Sequence, residues 1–157
     1  MRRLALVGAL AAVMALMAVF ANPAVAQPVT GLDASYMSGK GEVPGPGDPD
    51  GGGTATIVLI PSQNMFCYSL KVSNIAPATA AHIQRGAFHE AGPIVLDLNP
   101  PLADGASSGC TSVEPALIDS LLESPESYYV NVDNAQFPNG AIRGQLSKTA
   151  VSSFSFG

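Results

Sequence analysis

Apolar and polar residues alternate along most of this chain, and the alternation has the two-residue period of β-strands. The clearest case is "MFCYSLKVS" (65–73), where Phe66, Tyr68, Leu70 and Val72 fall on one face and the residues between them fall on the other. A face made only of apolar side chains indicates a strand with one side on a core.

Six more stretches have the composition or alternation of strands and are separated by turn-forming residues. They are 29–37, 54–60, 80–85, 93–98, 127–133 and 141–147. The last two are predicted to form a hairpin, because Asn139-Gly140 between them is a strong turn signal. One helix is predicted over 114–124, bounded by Pro115 in its first turn and Pro125 after it. About seven short strands with one helix predict an all-β fold, either an antiparallel β-sandwich or a flattened Greek-key barrel.

The first 26 residues have the order of a secretory signal peptide. Arg2 and Arg3 precede a long apolar stretch, which ends in the small residues Ala24-Val25-Ala26. We predict cleavage after Ala26; the alternative is an uncleaved membrane anchor, which Asn22-Pro23 interrupts early. The expected organisation is therefore a signal peptide (1–26), one domain (27–149) and a flexible C-terminal tail (150–157), in a secreted or extracytoplasmic protein of the periplasm or cell surface.

The charge of the exported part makes nucleic acid an unexpected partner. The chain has 7 basic and 12 acidic residues, and two of the basic ones, Arg2 and Arg3, lie in the predicted signal peptide. The remaining basic residues are scattered, so they form no stripe for phosphate contacts. No membrane span is expected once the signal peptide is removed.

Cys67 and Cys110 are the two cysteines of the chain, and both lie in the exported part. An even count in an oxidising compartment predicts a disulfide between them. Two free thiols serving redox or metal chemistry are the alternative, although neither cysteine lies in a CxxC motif. Alternation puts Cys67 on the polar face of its strand, so the bridge is predicted to hold "NPPLADGASSGC" (99–110) as a loop over the solvent side of the sheet.

Several segments together resemble the CHRD domain, which is named after chordin, an extracellular antagonist of growth factors, and is common in exported bacterial proteins. The segments are "GKGEVPGPGD", "GGGTATIVL", "YSLKVSNIAPATAAHI", "GPIVLDL", "YYVNV" and "FPNGAIRGQL", in that order between about Leu32 and Ser147. The resemblance implies an exported β-sandwich without a settled biochemical activity. Two positions depart from the family pattern, because Gln84 and Asp133 stand where histidines are usual, and His82 alone matches.

Strand parity predicts a polar cluster of His82, Gln84, Asp133 and Arg143 on one face of the sheet. In family members with all three histidines, such a face suits copper or zinc. Here His82 and Asp133 are the candidate metal ligands. The favoured interpretation is that His82 packs on the sheet and hydrogen-bonds Asp133 or a backbone carbonyl. Arg143 is expected to pair with Asp133 across the hairpin, the alternative being contact with an anionic ligand.

No catalytic motif is recognisable, and we expect a non-catalytic role. The expected function is binding of an extracellular protein, an envelope component or a matrix polymer through the loops 39–53 and 86–92. Glu42 in the first loop is expected to be solvated or to fix a turn. The alternatives are a metal-dependent, superoxide-dismutase-like activity centred on His82, and a purely structural envelope component. No cofactor is expected apart from the copper or zinc of the first alternative.

Overall fold

The computed structural model describes residues 29–149. The predicted signal peptide (1–26) and the predicted tail (150–157) lie outside the described residues. Within the described range the fold is all-β with one α-helix, so the predicted fold class is confirmed.

Nine strands, one α-helix and three short 3₁₀ helices make up the described part of the chain. The strands are β1 (Thr30–Ser38), β2 (Gly52–Ile60), β3 (Met65–Ser73), β4 (Ala78–Arg85), β5 (Ile94–Leu98), β6 (Ala106–Ser112), β7 (Tyr128–Asn134), β8 (Ile142–Gln145) and β9 (Ser147–Thr149). The helix is α1 (Pro115–Glu123), and the 3₁₀ helices are Gly39–Gly41, Pro61–Gln63 and Pro125–Ser127.

The strands form one antiparallel sheet that curls into a nearly closed barrel. Their order is β5-β4-β7-β8-β1-β2-β3-β6, and β9 pairs with β1 beside β8. The predicted hairpin is present, since β7 and β8 pair from Tyr129–Gln145 to Val132–Ile142. Strand β1 is thus paired on one side with β2 and on the other with β8 and β9, and β5 and β6 are the two edge strands of the described sheet.

The core lies on the inner face of this curled sheet, where the alternation of the sequence predicted it. Ile83 on β4, Val130 and Val132 on β7 and Ile142 on β8 are all fully buried and belong to one apolar cluster. Leu121 of α1 joins the same cluster, so the single helix covers part of the barrel. Burial of apolar surface at roughly 25 cal/mol per Å² is the main stabilising term for such a core.

One glycine is required where β8 passes β1. A Cβ atom on Gly144 would lie 2.6 Å from the Cγ of Met37 and 2.9 Å from the carbonyl oxygen of Tyr36. No side chain fits at those distances, so the glycine lets β8 approach β1 closely. This approach matters for function because the neighbouring residues Arg143 and Gln145 lie on the outer face of the same strand.

The predicted disulfide between Cys67 and Cys110 is confirmed, but the element it joins was predicted wrongly. Residues 106–112 form strand β6 rather than a loop, and Cys110 lies directly opposite Cys67 in the β3–β6 pair. The strand escaped prediction because "ASSGCTS" has no apolar alternation. Strand β6 is an edge strand with small side chains and one neighbour. It forms without apolar alternation, because the disulfide and the backbone hydrogen bonds to β3 hold it.

The loop 39–53 between β1 and β2, through which binding was expected, is exposed only in part. Its middle, around Pro44–Pro46, is exposed, whereas Glu42 and Asp48 are buried. The loop folds back on the β7–β8 turn, since the amide of Asp48 donates to the carbonyl of Ala141 at 2.8 Å. Both ends of the loop 39–53 are therefore packed against the rest of the protein.

Candidate functional site

Strands β4, β7 and β8 place a patch of polar side chains on the outer face of the sheet. Their register puts His82 opposite Asn131, and Asn131 opposite Arg143. The next row of the same face consists of Gln84, Tyr129 and Gln145. As strand parity predicted, His82, Gln84, Asp133 and Arg143 lie on one face, but they take part in two separate sets of contacts.

The first set joins His82 and Asp133. The Nε2 atom of His82 lies 3.5 Å from Oδ2 of Asp133, and both side chains are buried. Burial raises the pKa of Asp133 above its usual value, and the neighbouring His82 opposes that rise. The packing of His82 on the sheet beside Asp133 agrees with the favoured sequence interpretation.

The second set is centred on Arg143, and here the predicted pairing with Asp133 is wrong. The guanidinium group instead donates Nη1 to the carbonyl of Glu90 at 2.7 Å and Nη2 to the carbonyl of Ala87 at 2.8 Å. It also stacks on the ring of Tyr129, 3.5 Å from the ring centre. The register explains the difference, because Arg143 faces Asn131 and its long side chain reaches past the strand to the loop after β4.

Gln145 and Tyr129 hold the same loop at further points. Nε2 of Gln145 donates to the carbonyl of Gly86 at 2.8 Å, and the hydroxyl of Tyr129 accepts the amide of Gly92 at 3.1 Å. With the two bonds of Arg143, the segment 86–92 is thus fixed at four backbone groups. Polar side chains of the sheet face therefore serve to hold a loop, and buried hydrogen bonds of this kind specify one loop conformation.

The tip of this loop is exposed. Phe88 is 61% exposed, and its ring lies 4.0 Å from the ring of His89. His89 has a φ of 68°, in the left-handed region, so the backbone turns sharply at the tip. The segment 86–92 thus combines a fixed base with an aromatic tip that faces solvent.

Glu42 was expected to be solvated or to fix a turn, and the first expectation is wrong. Its side chain is buried, with 6% of the residue exposed, beneath the β7–β8 turn. Gly140 is required there, because its φ is 135° and a Cβ atom would clash with the Glu42 carboxyl. Burial raises the pKa of Glu42 to about 8; Arg143 opposes this rise and Asp133 adds to it.

The sequence was also compared with models of protein families. The model of the CHRD domain matches residues 34–146, which is more than half of the chain. This chain belongs to the CHRD domain family. A search of curated proteins and a search of solved structures each found no significant match.

The matched range of this CHRD domain contains the two cysteines, the buried Glu42 and every residue of the outer polar face described above. Among residues 29–149, no helix has the length and apolar character needed to cross a membrane. Within the same range, no group of three or more His, Cys, Asp or Glu side chains is arranged to hold a metal ion. His82 and Asp133 are together, but a third residue of those types does not join them.

The sequence did not identify any of the three loop anchors of this CHRD domain, Tyr129, Arg143 and Gln145. Strand parity puts Gln145 on the same face as Arg143, and that signal was available. It could not reveal the acceptors, because the backbone carbonyls of Gly86, Ala87 and Glu90 are contributed by a loop about 40 to 60 residues away in sequence. A hydrogen bond to a backbone group does not depend on which residue contributes that group, so such partners cannot be recognised from the sequence.

Proposed function

We propose that this CHRD domain is an exported, non-catalytic binding domain. In this proposal it contacts an extracellular protein, an envelope component or a matrix polymer through the loop 86–92, together with the exposed middle of the loop 39–53. The observation that carries the proposal is the aromatic tip at Phe88 on a loop whose backbone is anchored by buried side chains.

The energetic argument concerns the cost of ordering a loop on binding. A mobile loop loses conformational entropy when it becomes fixed in an interface, and a loop that is already fixed avoids most of that loss. Arg143, Gln145 and Tyr129 fix the segment 86–92 in the free protein. Exposed aromatic side chains are frequent centres of binding energy in interfaces, so Phe88 is the residue that we assign this role.

The two loops form one surface. Pro44 of the first loop lines the same depression as Ala91 and Gly92 of the second. The proposed contact area extends from Phe88 over this depression to the exposed segment Pro44–Pro46. The disulfide Cys67–Cys110 supports export, because such bonds persist mainly in oxidising compartments.

The dismutase-like alternative has no support from the described residues, where one histidine and one carboxylate meet without a third ligand of those types. The alternative of a purely structural envelope component predicts no partner that depends on Phe88. The binding experiment below therefore separates it from the proposal.

The experiment is a comparison of captured partners for three forms of the purified protein. The wild type, Phe88→Ser and Leu102→Ser are immobilised and exposed to the envelope and medium fractions of the source organism, and bound components are quantified. Leu102 is a matched control because it is also a large, exposed apolar residue, in a different loop. We expect a component retained by the wild type and by Leu102→Ser, and reduced about tenfold or more by Phe88→Ser. Equal capture by all three forms would contradict the proposal.

A further inference from the structure

Strand β1 contains a β-bulge that turns a tyrosine out of the barrel. Its pairing with β2 shifts between Ala34 and Met37, so that Ser35 and Tyr36 together lie opposite Thr54. Without the extra residue, the two-residue period that buries Ala34 would also direct Tyr36 to the core. Instead, Met37 is fully buried and Tyr36 is 76% exposed. The bulge therefore places a large aromatic ring in solvent on the outer face of the sheet.

Tyr36 borders an open depression of about 290 Å³ against β1, β2 and β3. The exposed polar residues that line it are Ser35, Thr54, Lys71 and Ser73. Thr54 lies between the bulge of β1 on one side and Lys71 of β3 on the other. Because neighbouring strands are about 4.8 Å apart, the backbones of Tyr36 and Lys71 are separated by about 10 Å. That separation accommodates one six-membered ring.

The depression has no side chain at Gly52, although one would fit there. A Cβ atom on Gly52 would lie 3.8 Å from Oγ of Ser73 and 3.9 Å from the carbonyl oxygen of Met37, which are ordinary contact distances. Its φ is not in the left-handed region either, so the backbone does not require a glycine. A strand glycine without a packing role is typical of a place where a ligand approaches the backbone closely.

The lining of the depression carries one positive charge. Among the described residues that line it, Lys71 alone is charged, and within residues 29–149 it forms no ion pair. Asp33, in the next row of the same face, accepts a hydrogen bond from Oγ of Ser147 at 2.7 Å and does not line the depression. The chain as a whole has a net charge of −5 at pH 7, but charges more than about 8 Å away are largely screened at physiological ionic strength. Lys71 therefore determines that the depression attracts an anionic group.

We propose that this depression binds a hexuronate residue of an acidic polysaccharide. A pyranose ring has a face of C–H groups, which packs on the exposed apolar ring of Tyr36. The carboxylate of the sugar accepts a charge-assisted hydrogen bond from the ammonium group of Lys71. The hydroxyl groups of the sugar both donate and accept, as do those of Ser35, Thr54 and Ser73.

The open form of the depression favours a polysaccharide chain over a free sugar. Sites for free small molecules bury most of the ligand surface, whereas Tyr36 and Lys71 are exposed. The same face continues in a row of hydroxyl groups, because Thr56, Ser69 and Ser108 lie side by side on β2, β3 and β6. A chain bound at Tyr36 can extend onto this row, and contacts made by linked sugar residues reinforce one another.

Other polymers fit the depression less well. An acidic peptide has carboxylates for Lys71, but it has no rigid face of C–H groups for the ring of Tyr36. A neutral glycan packs on Tyr36, but it leaves Lys71 without an anion. A hexuronate residue has both features in a single ring.

The test is a titration of the ¹⁵N-labelled protein with oligosaccharides, followed through the backbone amide signals of Gly52, Gly53 and Thr54. The probes are the tetramers of galacturonate, mannuronate and glucuronate. We expect at least one of them to shift these signals saturably, with a Kd on the order of 1 mM. The same tetramer with its carboxyl groups reduced to primary alcohols should bind about tenfold more weakly, because it lacks the partner of Lys71. Tetraglutamate has carboxylates without sugar rings and should cause no saturable shift.

Three variants locate the site. Tyr36→Ala and Lys71→Met should each weaken binding of the tetramer about tenfold or more. Gly52→Phe should abolish it, because the new side chain fills the depression from a position where a Cβ atom fits. Lys148→Met is the matched control for charge, since Lys148 is an exposed lysine of β9 that does not line the depression. Phe88→Ser should bind the tetramer as the wild type does, so a failure of this inference is distinguishable from a failure of the contact proposed for Phe88.

Three outcomes would overturn the inference. They are no saturable shift with any of the three uronate tetramers, equally tight binding of the reduced tetramer or of tetraglutamate, and unchanged binding in any of the three variants that locate the site. Equal binding of the reduced tetramer would assign the depression to neutral glycans, and equal binding of tetraglutamate would assign it to acidic chains of any kind.

Discussion

Strand β6 and the loop 86–92 both bury little apolar surface, and they are held to the rest of the protein in different ways. Strand β6 pairs with β3 along seven residues and is joined to it by the disulfide Cys67–Cys110. The loop has no regular pairing and is held by side chains of β7 and β8 that bond to its backbone.

The difference shows two means of fixing a segment that buries little apolar surface. A disulfide acts mainly by restricting the unfolded chain, and disulfide-bonded cysteines do not titrate. Buried polar groups act in the folded state, and each must be satisfied there. The polar region, meaning the outer polar face of β4, β7 and β8 together with the buried Glu42, is consequently the part of this molecule whose stability depends on protonation and on single hydrogen bonds.

Removal of the disulfide should have the largest effect on stability. The cysteines are 43 residues apart, so the loop-closure model gives a loss of about 4 kcal/mol in the free energy of unfolding for the double variant Cys67→Ser, Cys110→Ser. Urea denaturation measures the loss, and hydrogen exchange should show the earliest opening at β6. The wild type under reducing conditions should match the double variant. A loss below about 1 kcal/mol would show that the backbone ladder alone holds β6.

The polar region should lose stability as the pH rises. The folded-state pKa of Glu42 is about 8, above the ordinary value of 4.5. Glu42 therefore contributes stability that is fully present below pH 4.5 and is lost as the pH rises towards 8, because the unfolded state ionises first. Asp133 contributes in the same direction, since its pKa is also raised.

The variant Glu42→Gln should flatten much of this pH dependence. Relative to the wild type, we expect it to gain about 4 kcal/mol between pH 5 and pH 9, since most of the pKa difference acts over this range and each unit of it corresponds to about 1.4 kcal/mol. Urea denaturation at a series of pH values measures the change. Glu114→Gln is the control, because Glu114 is exposed and should leave the wild-type pH profile unchanged. A wild-type profile that is flat from pH 5 to pH 9 would contradict the role of Glu42.

Removal of the arginine anchor should have a smaller effect on stability and a local effect on mobility. Arg143→Met leaves the carbonyls of Ala87 and Glu90 without their donors and should cost about 2 kcal/mol. ¹⁵N relaxation should show increased mobility confined to residues 86–92. Arg143→Lys should not restore rigidity, because an ammonium group cannot reproduce the planar fork of donors. Arg85→Met is the control, because Arg85 is an exposed arginine of β4, and it should change neither stability nor loop mobility. Unaltered loop relaxation in Arg143→Met would show that Gln145 and Tyr129 hold the loop without Arg143.

The fold was largely predictable because most of its strands have apolar residues at every second position, on the inner face of the sheet. Alternation located β3 without error, and it located β2, β4, β5 and β7 to within about two residues at each end. It failed at β6, whose serines and glycine carry no apolar signal, and it merged β8 and β9 into one strand. The grouping of His82, Gln84, Asp133 and Arg143 on one face also followed from parity alone.

The sequence by itself determined the fold class, the pairing of its two cysteines and the face of most residues in the strands that it predicted. These properties depend on the two-residue period of a strand and on the number of cysteines. Only the tertiary structure decided that Arg143 bonds to a loop rather than to Asp133 and that Glu42 is buried. The physical reason is that these properties depend on distances between segments far apart in the chain. Register and loop closure set those distances, and neither is encoded in any one stretch of residues.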